Sequence, residues 1–175
     1  MNTALLVIDL QVCYLELNFS PEERERIVRV TNHNIAEAHR QGWTVIYIKH
    51  YFDSFFAKMF FKIFFKGAGV RGTAKSVFDP RINIINQNLF EKNTEDTFKS
   101  TNLDAFLKEH QIDELYITGL DGTACVNATS WGALQRNYKV NLIEDSIISV
   151  SPKRWKSLLS KLQKQENCKL LPTLR

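Results

Sequence analysis

Several residues able to do chemistry stand where apolar runs stop. Asp9 ends the uninterrupted run 4–8, and His50 follows the β-branched run 43–48. Lys92 follows a weaker run at 89–91, and Asp145 follows 139–143. Cys125 comes a short turn after the run 114–118, through Gly119-Leu120-Asp121-Gly122-Thr123-Ala124. A cysteine at a helix start meets unpaired amides and the positive end of the macrodipole, and both favour the reactive thiolate. Gly119 and Gly122 allow a turn that can aim N–H groups at an oxyanion forming beside the sulfur. Together these residues make a usable set: Cys125 as nucleophile, Asp9 as the acid/base that takes its proton, Lys92 as the cation holding both as ions. No suitably placed serine–histidine pair competes. Each residue also has a plainer explanation. A small cysteine packs well inside a helix, an acid after a strand caps a turn, and a lone histidine is an ordinary packing or hydrogen-bonding residue. His50 is carried forward as a substrate contact on its position alone.

These residues share a site only if the elements bring them together. The runs at 4–8 and 43–48 have the continuous apolar character of strands buried on both faces. A third strand falls within 82–85 or 89–91, a fourth at 114–118 and a fifth at 139–143, and residues 169–171 offer an edge strand. Between them lie helices. Ser20-Pro21-Glu22-Glu23 is a start signal, with a capping serine, proline at the first position and early acids. Its helix continues to Gln41-Gly42. Thr101 is placed to cap a helix over 103–110, a helix runs from about 123 to 137, and Ser151-Pro152 begins the last. Strand–helix alternation predicts an α/β fold, a doubly wound and mainly parallel sheet with helices on both faces. In such a sheet, carboxyl-terminal strand ends share one rim, where open α/β sheets place their chemistry.

The 175 residues point to one domain over 1–175, long enough for a sizeable core. A net charge of +4, with no continuous basic pattern, gives no case for nucleic acid. The three cysteines are far apart and match no zinc or disulfide spacing, which suits a reducing compartment. The chain enters its first apolar run without a basic leader or a cleavage signal, so the expectation is cytoplasmic. Residues 55–66 are distinctive: Phe55, Phe56, Phe60, Phe61, Phe64 and Phe65 recur at helical spacing with Lys58, Lys62 and Lys66 between them. A helix packed on the core or on a partner subunit is the plainest reading. A lid and a membrane-surface helix are the alternatives. The glycine-rich stretch 66–73 lacks phosphate-loop spacing and is taken as a flexible connection.

Leu6-Val7-Ile8-Asp9-Leu10-Gln11 resembles the first motif of the isochorismatase-like cysteine hydrolases, the group of nicotinamidases, N-carbamoylsarcosine amidases and ureidoacrylate amidohydrolases. Lys92, with Phe98, Thr101 and Leu103 behind it, resembles that family's lysine segment. Gly119-Leu120, Cys125-Val126 and Thr129, then Tyr138-Lys139-Val140 and Asp145, resemble its nucleophile block. The resemblance spans most of the chain. It implies a six-stranded fold and a triad of Asp9, Lys92 and Cys125. It implies a thioester intermediate on Cys125 in the cleavage of a C–N bond of a small amide, ureido or carbamoyl substrate. It further implies a cis peptide at Leu120–Asp121 and an oxyanion hole from the amides of Asp121 and Cys125. Gln11, His50 and Phe98 become the expected substrate contacts, a homodimer or homotetramer the expected assembly, and no cofactor is expected.

Two departures stand out. Asp121 and Gly122 replace a small residue and a threonine, which puts an acid beside the oxyanion hole. The Asp-x-His metal ligands of nicotinamidases have no counterpart in Lys49-His50-Tyr51-Phe52-Asp53, so no metal is expected and nicotinamide is disfavoured. Vinyl-ether hydrolysis of the isochorismatase kind, and a binding protein on this fold, are the alternative functions.

Overall fold

A computed structural model describes residues 2–64 and 68–174. Its centre is a six-stranded, all-parallel sheet in the order β3-β2-β1-β4-β5-β6. The strands are β1 (Asn2–Ile8), β2 (Thr44–His50), β3 (Leu89–Lys92), β4 (Ile112–Gly119), β5 (Lys139–Ile147) and β6 (Cys168–Leu171). The helices are α1 (Val12–Asn18), α2 (Pro21–Arg40), α3 (Phe55–Phe64), α4 (Thr97–Ser100), α5 (Leu103–Glu109), α6 (Asn127–Leu134) and α7 (Pro152–Leu162).

The winding reverses between β1 and β4, and each direction puts its helices on one face. Along β1, Leu5 and Val7 pack with Leu15, Ile27, Ile35 and Ala38 of α1 and α2. Their neighbours Ala4, Leu6 and Ile8 pack on the other face with Leu103, Leu107, Ala133 and Leu159 of α5, α6 and α7. Residues 4–8 have no exposed surface at all. Full burial contributes about 1.5–3 kcal/mol for each Leu, Val or Ile, which is why this run becomes the central strand. α2 starts as its sequence indicates, with a complete capping box between Ser20 and Glu23.

Several local expectations change. α1 went unrecognised because it is short and has no capping side chain. β5 runs on through Asp145 to Ile147, so Asp145 is an exposed strand residue whose carbonyl accepts from Arg26 Nη1 at 2.7 Å, and it is not on the rim. The stretch after Gly67 is tied down: Val70 is buried, and the Gly69 carbonyl accepts from the Phe52 amide at 2.8 Å. On α3, Phe55 and Phe56 are 72% and 79% exposed, and Met59, Phe60 and Ile63 are also exposed. Phe55 and Phe56 are therefore not part of the chain's own core. The expectations for Phe61 and Phe64, for Phe65, and for Lys58, Lys62 and Lys66 lie outside the described residues and side chains.

Candidate active site

The switch point builds the site. Asp9 leaves β1 with φ 55°, a left-handed conformation that aspartate tolerates better than most residues. Its amide donates to the Ile48 carbonyl of β2 at 2.9 Å. β3 pairs with β2 so that Lys92 lies opposite His50. Across β1, Gly119 pairs with Ile8 so closely that a side chain there would begin 2.1 Å from the Ile8 carbonyl oxygen. Gly119 also takes φ 122°, so both the approach and the conformation require glycine. The Leu120–Asp121 peptide is cis.

Cys125 was expected at a helix start. It instead lies inside a π-helical turn, Gly122–Val126, that precedes α6. The Ala124 and Val126 amides both donate to the Asp121 carbonyl, at 3.0 and 3.1 Å, and Cys125 sits between them. π turns recur at functional sites.

Asp9, Lys92 and Cys125 come together as a buried group. Lys92 Nζ lies 2.8 Å from Asp9 Oδ2, with both side chains almost fully enclosed. Lys92 also donates to the Glu95 carbonyl at 3.3 Å. The Cys125 thiol also meets the Asp9 carboxylate. Cys125 Sγ, a ring nitrogen of His50 and an Asp9 oxygen all lie within 4.8 Å of one another, and Sγ is 3.8 Å from His50 Nδ1.

The electrostatics overturn the expected resting thiolate. Burial, then the Asp9 carboxylate, holds the Cys125 thiol well above its ordinary pKa, and Lys92 opposes them without prevailing. Burial works against the Lys92 charge too, but Asp9 and Cys125 outweigh it and raise its pKa. Burial, then Lys92, pushes His50 down to about 4, so its imidazole is neutral at pH 7. At rest the site holds a thiol, a neutral imidazole and a carboxylate–ammonium pair.

A cavity of about 410 Å³ opens over this group. Asp9, Cys125, His50, Phe52, Leu120 and Ala124 line it, with Tyr14 and Asn18 contributed by α1. Tyr14 and Asn18 were missed along with their helix. Gln11 does not line the cavity. It is fully buried and grips the His50 backbone: its Oε1 accepts from the His50 amide at 2.7 Å, and its Nε2 donates to the His50 carbonyl at 3.3 Å. Phe98 does not line it either. It is buried in the core, stacked on Tyr138 with the Arg136 guanidinium over its ring. An aromatic residue near the lysine segment reads the same in sequence whether it faces core or cavity.

The isochorismatase domain family model matches residues 3–171. The nicotinamidase of Escherichia coli is 45% identical over 53 residues, which is 30% of this chain and only 25% of that protein. The uncharacterized isochorismatase family protein YrdC of Bacillus subtilis is 28% identical over 145 residues, 82% of this chain and 72% of that one. Among solved structures, the N-carbamoylsarcosine amidase of Thermoplasma acidophilum superposes with a TM-score of 0.79 at 24% identity, covering 97% of this chain and 95% of its own.

Proposed function

The chain belongs to the isochorismatase family, and on that premise we propose that it is a cysteine hydrolase cleaving a C–N bond of a small amide, ureido or carbamoyl substrate. The observation that carries this reading is the buried Asp9–Lys92 ion pair placed against the Cys125 sulfur. In the proposed reaction, the substrate carbonyl carbon enters above Cys125. Asp9 removes the thiol proton as sulfur attacks, so the thiolate forms only when a substrate is there to use it. The new oxyanion lies against the Asp121 and Cys125 amides, where losing one donor typically costs about 2.7–4 kcal/mol. The C–N bond breaks as Asp9 returns its proton to the departing nitrogen, leaving a thioester. Water, deprotonated by Asp9, attacks the thioester and releases the acid and the thiol. Lys92 stays charged throughout and keeps Asp9 ionised between proton transfers. His50 and Phe52 flank the substrate. These roles use the chain's own side chains throughout and call on no metal.

The lining also narrows the substrate. Among the described residues it carries Asp9, Glu95 and Asp121, while the nearby cation, Lys92, is fully buried and committed to Asp9. An anionic substrate end would meet carboxylates with no free positive partner. A neutral amide or urea fits better than the dianionic vinyl ether of an isochorismatase-type reaction.

Ammonia release from a panel of neutral amides, ureas and carbamoyl compounds tests this. Wild type is expected to turn over at least one of them, with Cys125→Ala and Asp9→Asn down by about 1,000-fold or more. Amide turnover that survives Cys125→Ala, or vinyl-ether cleavage that survives Cys125→Ser, would overturn the reading.

A further inference from the structure

The sulfur of Cys125 and Nδ1 of His50 are already separated like two ligands of one zinc ion. With Zn–S near 2.3 Å and Zn–N near 2.0–2.1 Å at a tetrahedral angle, two such donors stand roughly 3.5 Å apart. The observed separation is 3.8 Å. A third donor completes the face: an Asp9 oxygen lies within 4.8 Å of both. Asp9 is 2% exposed, and its carboxylate is held between Lys92 and Cys125. Lys92 sits on Oδ2, and Asp9 lines the cavity. The cavity supplies both an entry path and room for water as a fourth ligand.

We propose that Asp9, His50 and Cys125 form a reversible zinc site that takes the nucleophile out of use. Its inhibitory role rests on the reading of Cys125 as the working nucleophile; the binding itself does not. This set is distinct from the Asp-x-His pattern absent from the sequence, and Asp53, the other acid after β2, is drawn toward Arg71 at 3.9 Å.

The exchange balances without redox chemistry. The Cys125 S–H bond breaks and its proton passes to solvent, an S–Zn bond forms, and hydrated zinc sheds all but one of its waters in favour of sulfur, imidazole nitrogen and carboxylate oxygen. Sulfur and imidazole donors select zinc over magnesium or calcium, which prefer oxygen. The nearby Lys92 charge opposes a dication, so occupancy is weaker than in a closed structural site and therefore reversible.

The test is a titration of metal-free protein with Zn²⁺ by calorimetry. It is run beside Co²⁺ absorption and iodoacetamide labelling of Cys125 with peptide mapping. Wild type is expected to bind one Zn²⁺ per chain with proton release and to show a thiolate-to-cobalt charge-transfer band. Zinc should slow Cys125 labelling about tenfold or more, and Mg²⁺ should have no effect. Cys125→Ala is expected to lose the band, His50→Ala to bind zinc about tenfold more weakly or worse, and Cys168→Ser to match wild type. His50 binds Gln11 and Tyr14 through its backbone, so His50→Ala keeps those contacts. Two results would overturn the site: one zinc retained in both Cys125→Ala and His50→Ala, or no heat, band or protection in wild type. Absence of amide turnover in the metal-free protein would instead defeat the functional reading and leave the zinc result standing.

Discussion

Ser149 Oγ donates to Asp121 Oδ1 at 2.6 Å, tying the turn before Cys125 to the loop after β5. The same oxygen accepts from the Thr123 amide at 2.7 Å and the Thr123 hydroxyl at 3.0 Å, and Oδ2 accepts from the Val150 amide at 3.2 Å. The acid that seemed a threat to the proposed oxyanion hole is thus engaged by four donors. Its neighbour Gly122 makes room for α7, since a Cβ there would begin 2.8 Å from the Trp155 indole. The two departures from the family pattern are one arrangement: aspartate braces the turn, and glycine lets the tryptophan pack on it.

Asp121→Ala should therefore destabilise the fold by about 1–3 kcal/mol, because it removes a cap and leaves partly buried donors without their acceptor. Asp121→Asn should lose less. Urea denaturation midpoints read the difference; equal stability of wild type and Asp121→Ala would show that the bracing contributes nothing.

Gly122→Ala should cost about 1–3 kcal/mol through overpacking on Trp155. The double variant Gly122→Ala/Trp155→Leu should cost less than the sum of the two single changes, because each relieves the other. Strict additivity in a double-mutant cycle would exclude the clash.

Lys92→Met leaves the Asp9 charge buried and unpaired, which typically costs about 3–5 kcal/mol. Adding Asp9→Leu should restore much of that loss while leaving the protein inactive. Thermal unfolding of the single and double variants decides between an ion pair retained for chemistry and one needed for folding.

The Cys125 thiol should label slowly with iodoacetamide at pH 7 and accelerate only above the ordinary thiol range near pH 8.5. Asp9→Asn removes a negative neighbour that disfavours the thiolate, so its profile should move to lower pH. A wild-type plateau already reached at neutral pH would show a resting thiolate instead.

His50 titrates near 4 when folded and near 6.5 when unfolded. Between those values the unfolded chain binds the extra proton. His50 therefore contributes stability that is present above about pH 6.5 and lost as pH falls toward 4. His50→Gln should flatten this acid-side slope between pH 6.5 and 4 in urea midpoints. An unchanged slope would mean that the ring is not desolvated.

Asp9, Lys92 and Cys125 were legible because each stands just past an apolar run, and a parallel sheet delivers such positions to one rim. The capping box of α2 and the edge strand β6 were legible for equally local reasons. Gln11 and Phe98 do not line the cavity. A carboxamide two residues after Asp9 serves a substrate or a backbone equally well, and only the tertiary structure placed Gln11 on the His50 main chain. Tyr14 and Asn18 were hidden because α1 has neither a cap nor a long amphipathic stripe.

From sequence alone, hydrophobic periodicity and turn chemistry determined the α/β alternation and the places where most strands end, Asp145 excepted, since these depend on neighbours a few positions apart. The tertiary structure decided the charge states. The Cys125 pKa depends on how deeply the sulfur is buried and how near Asp9 and Lys92 come, and those distances join residues more than thirty positions apart. A helix start argued for thiolate, but burial in low dielectric, together with an adjacent carboxylate, outweighed it.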